Sequence, residues 1–222
     1  MGTDQSGRDI FSRILYGARI SVLVGLGVVA ISALLSTLFT LVSGYYVTTL
    51  DLILQRFVEI VSLLPDLIII ISLFAIYGAT PLTLVITLGV LNGFHTSRVL
   101  RAMVISLRGS TYIEAARVLG AGDSRLIFRH ILPNVFFYII VSATGALAAA
   151  IGIEAGLAIV GFGLDPSYPT WGNMMNTSRE YLRRAPYMAL FPAAMLALAI
   201  FGFRLFGDAL RDVLDPQLRG GR

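Results

Sequence analysis

Cysteine is absent from this chain, and so is lysine: all seventeen basic side chains are arginine. Without cysteine there is no disulfide framework, no thiol nucleophile and no thiolate metal site, and the redox compartment leaves no mark. Without lysine there is no Gly-Lys-Ser/Thr phosphate loop, so the chain is not itself an ATPase of that class. The exclusive use of arginine reads as genomic base composition, because a membrane surface attracts either cation. Histidine occurs only at His95 and His130. With no metal-ligand spacing and no Ser/His/Asp arrangement, an intramembrane enzyme lacks its parts, and no catalytic residue and no metal site are expected. Internal repeats are not evident, so the inverted halves of a self-sufficient secondary transporter are not visible either. Charge is scarce, at 14% of 222 residues against 56% hydrophobic. Soluble domains use roughly 45–50% apolar residues, so a chain with a mean hydropathy of +0.81 belongs in a bilayer. Its pI near 9.7 comes from arginines in short loops between apolar spans, where topology requires them. That argues against a nucleic-acid partner.

Counting uncharged residues against the roughly 20 needed per crossing gives spans at 20–43, 57–77, 82–105, 134–156 and 186–206. The uncharged run between Asp66 and Arg98 is too long for one crossing, and Gly78-Ala79-Thr80-Pro81 supplies turn chemistry near its middle. Small residues in Ser142-Ala143-Thr144-Gly145-Ala146 allow helix backbones to approach closely. The expected fold is all-α and polytopic, with about five transmembrane helices and no separate soluble domain. Orientation follows from arginine placement. If the polar segment 106–133 is cytoplasmic, Arg8, Arg13, Arg19, Arg179, Arg183 and Arg184 lie outside and the other eleven inside. Residues 1–19 then form an extracytoplasmic N-terminal segment, 20–222 the transmembrane domain and 157–185 an extracytoplasmic loop. The first nineteen residues hold no apolar signal core to carry them across, so a preceding apolar span is expected upstream.

The most informative stretch is an arginine-rich polar island between two spans. Good helix formers dominate from Leu107 to Leu119, and Glu114, Ala115 and Ala116 present a small-side-chain surface. Gly120 is placed to take the left-handed C-cap conformation. Asp123 is placed to N-cap a second short helix carrying Leu126, Ile127, Phe128 and Ile131, with the next span beginning at Pro133. By spacing alone this is a helical hairpin joining two membrane helices.

Glu114-Ala115-Ala116, then Gly120, then His130-Ile131-Leu132-Pro133 resembles the cytoplasmic coupling motif of ABC importer permeases. The form His130-Ile131-Leu132-Pro133-Asn134 is similar to the dipeptide/oligopeptide/nickel branch. Further agreements run nearly end to end and in the family's order. They are Gly2-Thr3-Asp4 and Gly17-Ala18-Arg19-Ile20-Ser21, Gly44-Tyr45-Tyr46, Pro169-Thr170-Trp171-Gly172-Asn173, and the run from Gly207 to Pro216. Departures occur at Gly93-Phe94-His95-Thr96-Ser97-Arg98, at the stretch from Gly156 to Gly163, and at Arg204. They bear on the substrate and leave the fold intact.

The resemblance implies a type I ABC importer permease fold in a bacterial or archaeal inner membrane, with the family's first helix lying before Gly2. It implies a multi-pass subunit forming half of a pathway for di- or oligopeptides, with nickel or glutathione as neighbouring cargo. The implied partners are a second homologous permease, two cytoplasmic ATPases, an extracytoplasmic substrate-binding protein and membrane lipid. ATP and Mg are implied to sit on the ATPases, with no cofactor on this chain. Glu114 and Arg117 would face the ATPase groove, Ala115 and Ala116 would allow close approach, and Gly120 would set the hairpin angle. His130 completes the motif, and Leu132 and Pro133 would pass the push into the next helix.

Ionisable groups inside the spans are the remaining candidates. Glu59 and Asp66 are seven residues apart, two helical turns, which on one helix puts them on one face about 10 Å from each other. Either both line a path, or Glu59 pairs with Arg56 one turn away and Asp66 is held in a polar contact beside Pro65. Asn92 and His95 are one turn apart on the next helix and are candidates for the same path. Glu154, near the outer end of its span, is either a contact for the binding protein or a gate, or an ordinary interfacial carboxylate. Pro169, Trp171 and Asn173 lie in an outer segment that the resemblance turns towards the binding protein.

Overall fold

The computed structural model describes residues 1–47 and 49–214. The Asp215-Pro216 end of the C-terminal motif, with Arg219 and Arg222, lies outside the described residues. Among the described residues the fold is all-α, and the single bridge between Thr3 and Asp9 is its one extended pairing.

The first helix, α1 (Ile10–Tyr46), has 37 residues and is about 55 Å long. The expected span 20–43 is therefore extended at both ends, and the segment 1–19 is helical from Ile10 onward. A count of uncharged residues stops at Arg19, but the helix is started earlier by Asp9, whose carboxylate accepts from Ser12 N at 2.7 Å. Burial of Ile10 and Ile14 beside Met174 and Met188 holds that first part in place. Ahead of the helix, residues 2–9 form a hook around Asp4. Burial pushes the Asp4 carboxyl up, but hydrogen bonds from the backbone and guanidinium of Arg8 and the backbone of Ser6 outweigh it and hold it below the usual range.

A bent pair follows. Helix α2 (Thr49–Leu63) and α3 (Asp66–Tyr77) meet at 85°. The expected single span 57–77 is thus two helices. Proline at 65 has no N–H to continue the ladder, and its extended conformation, φ −60° and ψ 127°, caps α3 instead. The turn at 78–80 forms as the sequence indicates: Gly78 takes φ +83°, Thr80 Oγ1 accepts from Thr83 N, and Pro81 opens α4 (Pro81–Arg108). Then come the short α5 (Thr111–Val118) and a continuous helical run built from α6 (Asp123–Arg125), a π-helical turn (Leu126–Ile131) and α7 (Leu132–Ile159). The run begins ten residues before Pro133, where the sequence placed the start of the span. The chain ends in α8 (Trp171–Thr177), a single 3₁₀ turn (Arg179–Tyr181) and α9 (Tyr187–Leu214).

Among the described residues three units, Ile10–Tyr46, Asp123–Ile159 and Tyr187–Val213, are long and apolar enough to cross a bilayer, and the bent α2/α3 pair makes a fourth when counted as one broken span. Helix α4 has the length, at 28 residues, but Asn92, His95, Arg98 and Arg101 dilute its apolar character. The largest interface is between α1 and α4. It is close because small residues line it: a Cβ on Gly89 would lie 2.7 Å from Ile31 Cβ, and one on Gly93 3.1 Å from Leu35 Cβ. The central core joins Val24 and Val28 to Ile70, Leu84, Leu88 and Ala150. At one end of the bundle the start of α1 packs on α8 and α9, and at the other its last turn packs on α5 and the π-helical turn.

Helix α2 is tied to α4 by a bidentate ion pair that the sequence analysis did not identify. Arg101 Nε donates to Asp51 Oδ1 at 2.8 Å and its Nη2 to Oδ2 at 2.6 Å, with Asp51 only 2% exposed. Arg98 adds a bond from Nη2 to Val58 O at 3.1 Å. Removing one member of a buried pair leaves an uncompensated charge, at a cost of about 3–5 kcal/mol. Arg101→Ala and Asp51→Ala should each lower the thermal unfolding midpoint of the detergent-solubilised protein strongly. The double variant should be no worse than the poorer single one, and additive losses would mean that the two residues act separately.

Candidate functional site

The island folds as a rigid hairpin at the end of the bundle where α1 finishes. Helix α5 is anchored by Ile113, which is fully buried against Tyr45, Leu100, Val104, Leu126 and Ile131. It stops at a glycine for a geometric reason. Gly120 has φ +84°, its N–H bonds to Arg117 O at 3.0 Å, and Ala121 N reaches Ala116 O at 3.0 Å. This is a Schellman closure, in which glycine carries the left-handed residue without a Cβ penalty. One face of α5 is thereby left to solvent: Glu114, Ala115 and Arg117 are exposed, Ala116 is half-buried, and Val118 and Leu119 at the tip are each 88% exposed.

Asp123 does not cap the second arm. Gly122 is the N-cap, and the Asp123 carboxylate instead receives the Tyr45 hydroxyl at 2.5 Å. Tyr45 is the clasp of this end: buried, under the Arg108 guanidinium at 5.8 Å, and edge-on to Tyr46. The Gly44-Tyr45-Tyr46 agreement noted in the sequence signalled this position without revealing its partner. Phe128, expected to pack, is 63% exposed, whereas Leu126, Ile127 and Ile131 are buried.

The π-helical turn has a cause in the sequence. Straight α-helix would drive the Pro133 ring into the Arg129 carbonyl. The wider turn avoids this, with Leu132 N bonding five residues back to Ile127 O. Asn134 Nδ2 then donates to His130 O at 2.6 Å. The His130 ring lies 6.4 Å from that of Tyr112 on α5, so the motif histidine faces the other arm of the hairpin.

Of the four polar pathway candidates the fold unites three. Asp66 at the start of α3 faces His95 on α4, with His95 Nε2 3.4 Å from each carboxylate oxygen. Asn92 lies one turn away and accepts from the Thr96 hydroxyl at 3.2 Å. These three line a cavity of about 220 Å³ whose other walls are apolar. Glu59 does not join them. The bend at Pro65 takes it off the face of Asp66, and it pairs with Arg56 at 2.7 Å.

The outer segment departs from expectation in a consistent way, because residues singled out for an external partner are packed inside. Trp171 is 2% exposed and its indole Nε1 donates to Ile14 O at 3.1 Å. Asn173 is buried, and its amide donates to Leu164 O, Asp165 O and Tyr168 O at 3.0, 3.3 and 3.1 Å. Glu154 is also buried, with Oε2 3.4 Å from Ser21 Oγ and Oε1 without a hydrogen-bond partner. Alternating apolar and polar residues in a loop do not reveal that the loop folds back over its own helices. Only Pro169 of the four retains partial exposure. At the loop's exposed corner, hydrogen bonds from Ser167 hold the Asp165 carboxyl below the usual range. Among the described residues no group of three or more His, Cys, Asp or Glu is placed to hold a metal ion.

Residues 36–220 match the family described as binding-protein-dependent transport system inner membrane component. The chain is 39% identical over 218 residues to the dipeptide transport system permease protein DppC of Alkalihalophilus pseudofirmus, covering 98% of this chain and 72% of that one. It is 36% identical over 219 residues to the glutathione transport system permease protein GsiD of Pectobacterium atrosepticum (99% and 73%). It is 35% identical over 218 residues to the oligopeptide transport system permease protein OppC of Bacillus subtilis (98% and 72%).

Two substitutions test this geometry. Tyr45→Phe removes one hydrogen bond to a charged acceptor, worth about 1.5–3 kcal/mol. It should speed proteolysis at the 119–123 turn while leaving the membrane helices intact, and unchanged cleavage would show that the clasp is not needed. Asn173→Ala removes the side-chain donor from Leu164 O, while Asp165 O and Tyr168 O keep the backbone donors Tyr168 N and Thr170 N. It should cost about 1–3 kcal/mol for the one group left unsatisfied, read as a fall in the unfolding midpoint larger than that of Asn176→Ala.

Proposed function

The chain belongs to the family of binding-protein-dependent transport system inner membrane components, and from that premise we propose that it forms half of the transmembrane pathway of an ABC importer for di- or oligopeptides. The observation that carries this reading is the hairpin: exposed Glu114, Ala115 and Arg117 beside half-buried Ala116, with Val118 and Leu119 at its tip, on a base packed into the bundle core through Ile113. Such a surface suits a protein partner. Small residues permit close approach, the tip supplies apolar area, and the charged pair supplies charge-assisted hydrogen bonds.

In this reading 106–133 is cytoplasmic and docks on one of two ATPases, which bind ATP and Mg and perform the hydrolysis. The chain itself contributes no catalysis. A second, homologous permease completes the pathway, and an extracytoplasmic binding protein delivers cargo to the side bearing 157–185. When the ATPases close, the load on α5 passes through Ile113 into the core and through Tyr45 and Asp123 into α1 and the Asp123–Ile159 run. His130, Leu132 and Pro133 sit at the π-helical turn, where that run deviates from ideal helix. Rigid-body rocking of the two permeases then exposes the path to alternate sides. Asp66, Asn92 and His95 line this half of the path. Glutathione is a second cargo reading, favoured by relatives named for its transport.

The experiment is reconstitution in liposomes with the partner permease, the ATPases and the binding protein. Glu114→Ala should assemble with an unchanged unfolding midpoint but lose most substrate-stimulated ATP hydrolysis and uptake. Gly120→Val, forcing a β-branched residue to φ +84°, should lose both along with hairpin order. Full uptake by an assembled Glu114→Ala complex would reduce the island to a connecting loop.

A further inference from the structure

The polar cavity at Asp66 has features that select the kind of group it meets. His95 is fourteen residues into α4, about 21 Å along a helix of roughly 42 Å, so the cavity lies near mid-depth. There the Asp66 and His95 side chains are 48% and 44% exposed on this chain. Ionisable groups at that depth do not face lipid, and a backbone break such as the 85° bend beside Pro65 is tolerated only where protein covers it or water reaches it.

We propose that Asp66 is a transient counter-ion for the ammonium group of the molecule being imported, with Asn92 and His95 as its polar rim; this deepens the pathway reading above and rests on it. The cavity wall carries a carboxylate and no arginine, so an anionic group meets a like charge there and no fixed cation. It is short of donors for a metal ion, since no cluster of three His, Cys, Asp or Glu forms among the described residues. It does not make a proton wire, because the wall beyond the Asp66–His95 pair, from Val28 on α1 to Ile153 on α7, contains no further titratable group to hand a proton to. What remains matches an ammonium, which needs one carboxylate and neutral acceptors converging on it. Both Asp66 oxygens stand 3.4 Å from His95, longer than a good hydrogen bond, so their lone pairs are lightly used. The Asn92 side-chain oxygen, engaged once by Thr96, has a second lone pair. The apolar remainder of the wall tolerates a side chain without selecting one, as weak, passing contact in a conduit requires.

The test uses the complete transporter with its binding protein and compares ATP-driven uptake of alanyl-alanine with N-acetyl-alanyl-alanine, which lacks the ammonium. The binding protein is common to every arm, so its own preference cancels when permease variants are compared. Asp66→Asn should reduce the preference for the free amine in kcat/KM by about tenfold, the loss of one charge-assisted contact, and Asp66→Glu should restore most of it. His95→Gln, which leaves the carboxylate in place, should keep the preference, and its loss there would overturn the proposal. An assembled Asp66→Asn complex that slows both peptides equally would overturn the ammonium subsite while leaving Asp66 in the path. Unchanged uptake of both would remove Asp66 from the path, and a wild-type complex importing neither would overturn the peptide reading itself.

Discussion

A carbonyl without a donor in hydrocarbon costs several kcal/mol, and this chain interrupts its helices repeatedly. Each interruption therefore needs a named donor. Pro192 inside α9 cannot bond to Met188 O, and the Ser178 hydroxyl, shared with Met174 O at 2.6 Å, reaches that carbonyl at 3.0 Å. The last turn of α7 is closed by Arg179 Nη1 on Ile159 O at 2.8 Å. The loop that follows is held by the Asn173 amide on three carbonyls. At Pro133 the backbone widens into a π-helical turn, and Asn134 covers the His130 carbonyl. Several short polar side chains of this apolar sequence thus sit where the backbone breaks.

The same constraint separates the two ends of the bundle by character. At the hairpin end the bonds are closed locally by the Schellman turn at Gly120, and the side chains of α5 are left over for another surface. At the opposite end the loop side chains are consumed internally: Trp171, Asn173 and Glu154 all turn inward. The proposed docking of a partner thus falls on the end whose side chains are exposed, and the opposite end is closed by its own loop. Between them, the bend at Pro65 opens the one polar cavity that brings Asp66, Asn92 and His95 together.

Much of this was legible before any coordinates. Gly120 declared its left-handed conformation because no other residue at the end of a helix-forming run takes it cheaply, and Gly78 to Pro81 declared a turn for similar reasons. The pairing of Glu59 with Arg56 was one of the two readings that helical spacing offered. Less legible were features whose partner is distant in the chain. Tyr45 and Asp123 are 78 residues apart, Asp51 and Arg101 50, and Trp171 and Ile14 157. No local pattern distinguishes a tyrosine that clasps a hairpin from one that sits at an interface, or an outer-loop tryptophan that anchors in lipid from one that reaches a helix carbonyl.

The sequence by itself determined the medium, the all-α class and the position of the exposed hairpin, because hydropathy, helix capping and positive-φ glycine are properties of neighbouring residues. That Glu114 and Arg117 face outward was an implication of the family resemblance, and both are exposed. The start of α1 at Asp9 and the bend of 57–77 at Pro65, which parts Glu59 from Asp66, have local causes that a count of uncharged residues passes over. The tertiary structure alone turned Glu154, Trp171 and Asn173 inward. The physical reason is that burial and pairing depend on which surfaces meet. Where the long spans are largely apolar, as in α1, α3 and α7, composition says that a helix is buried in something and cannot say in what.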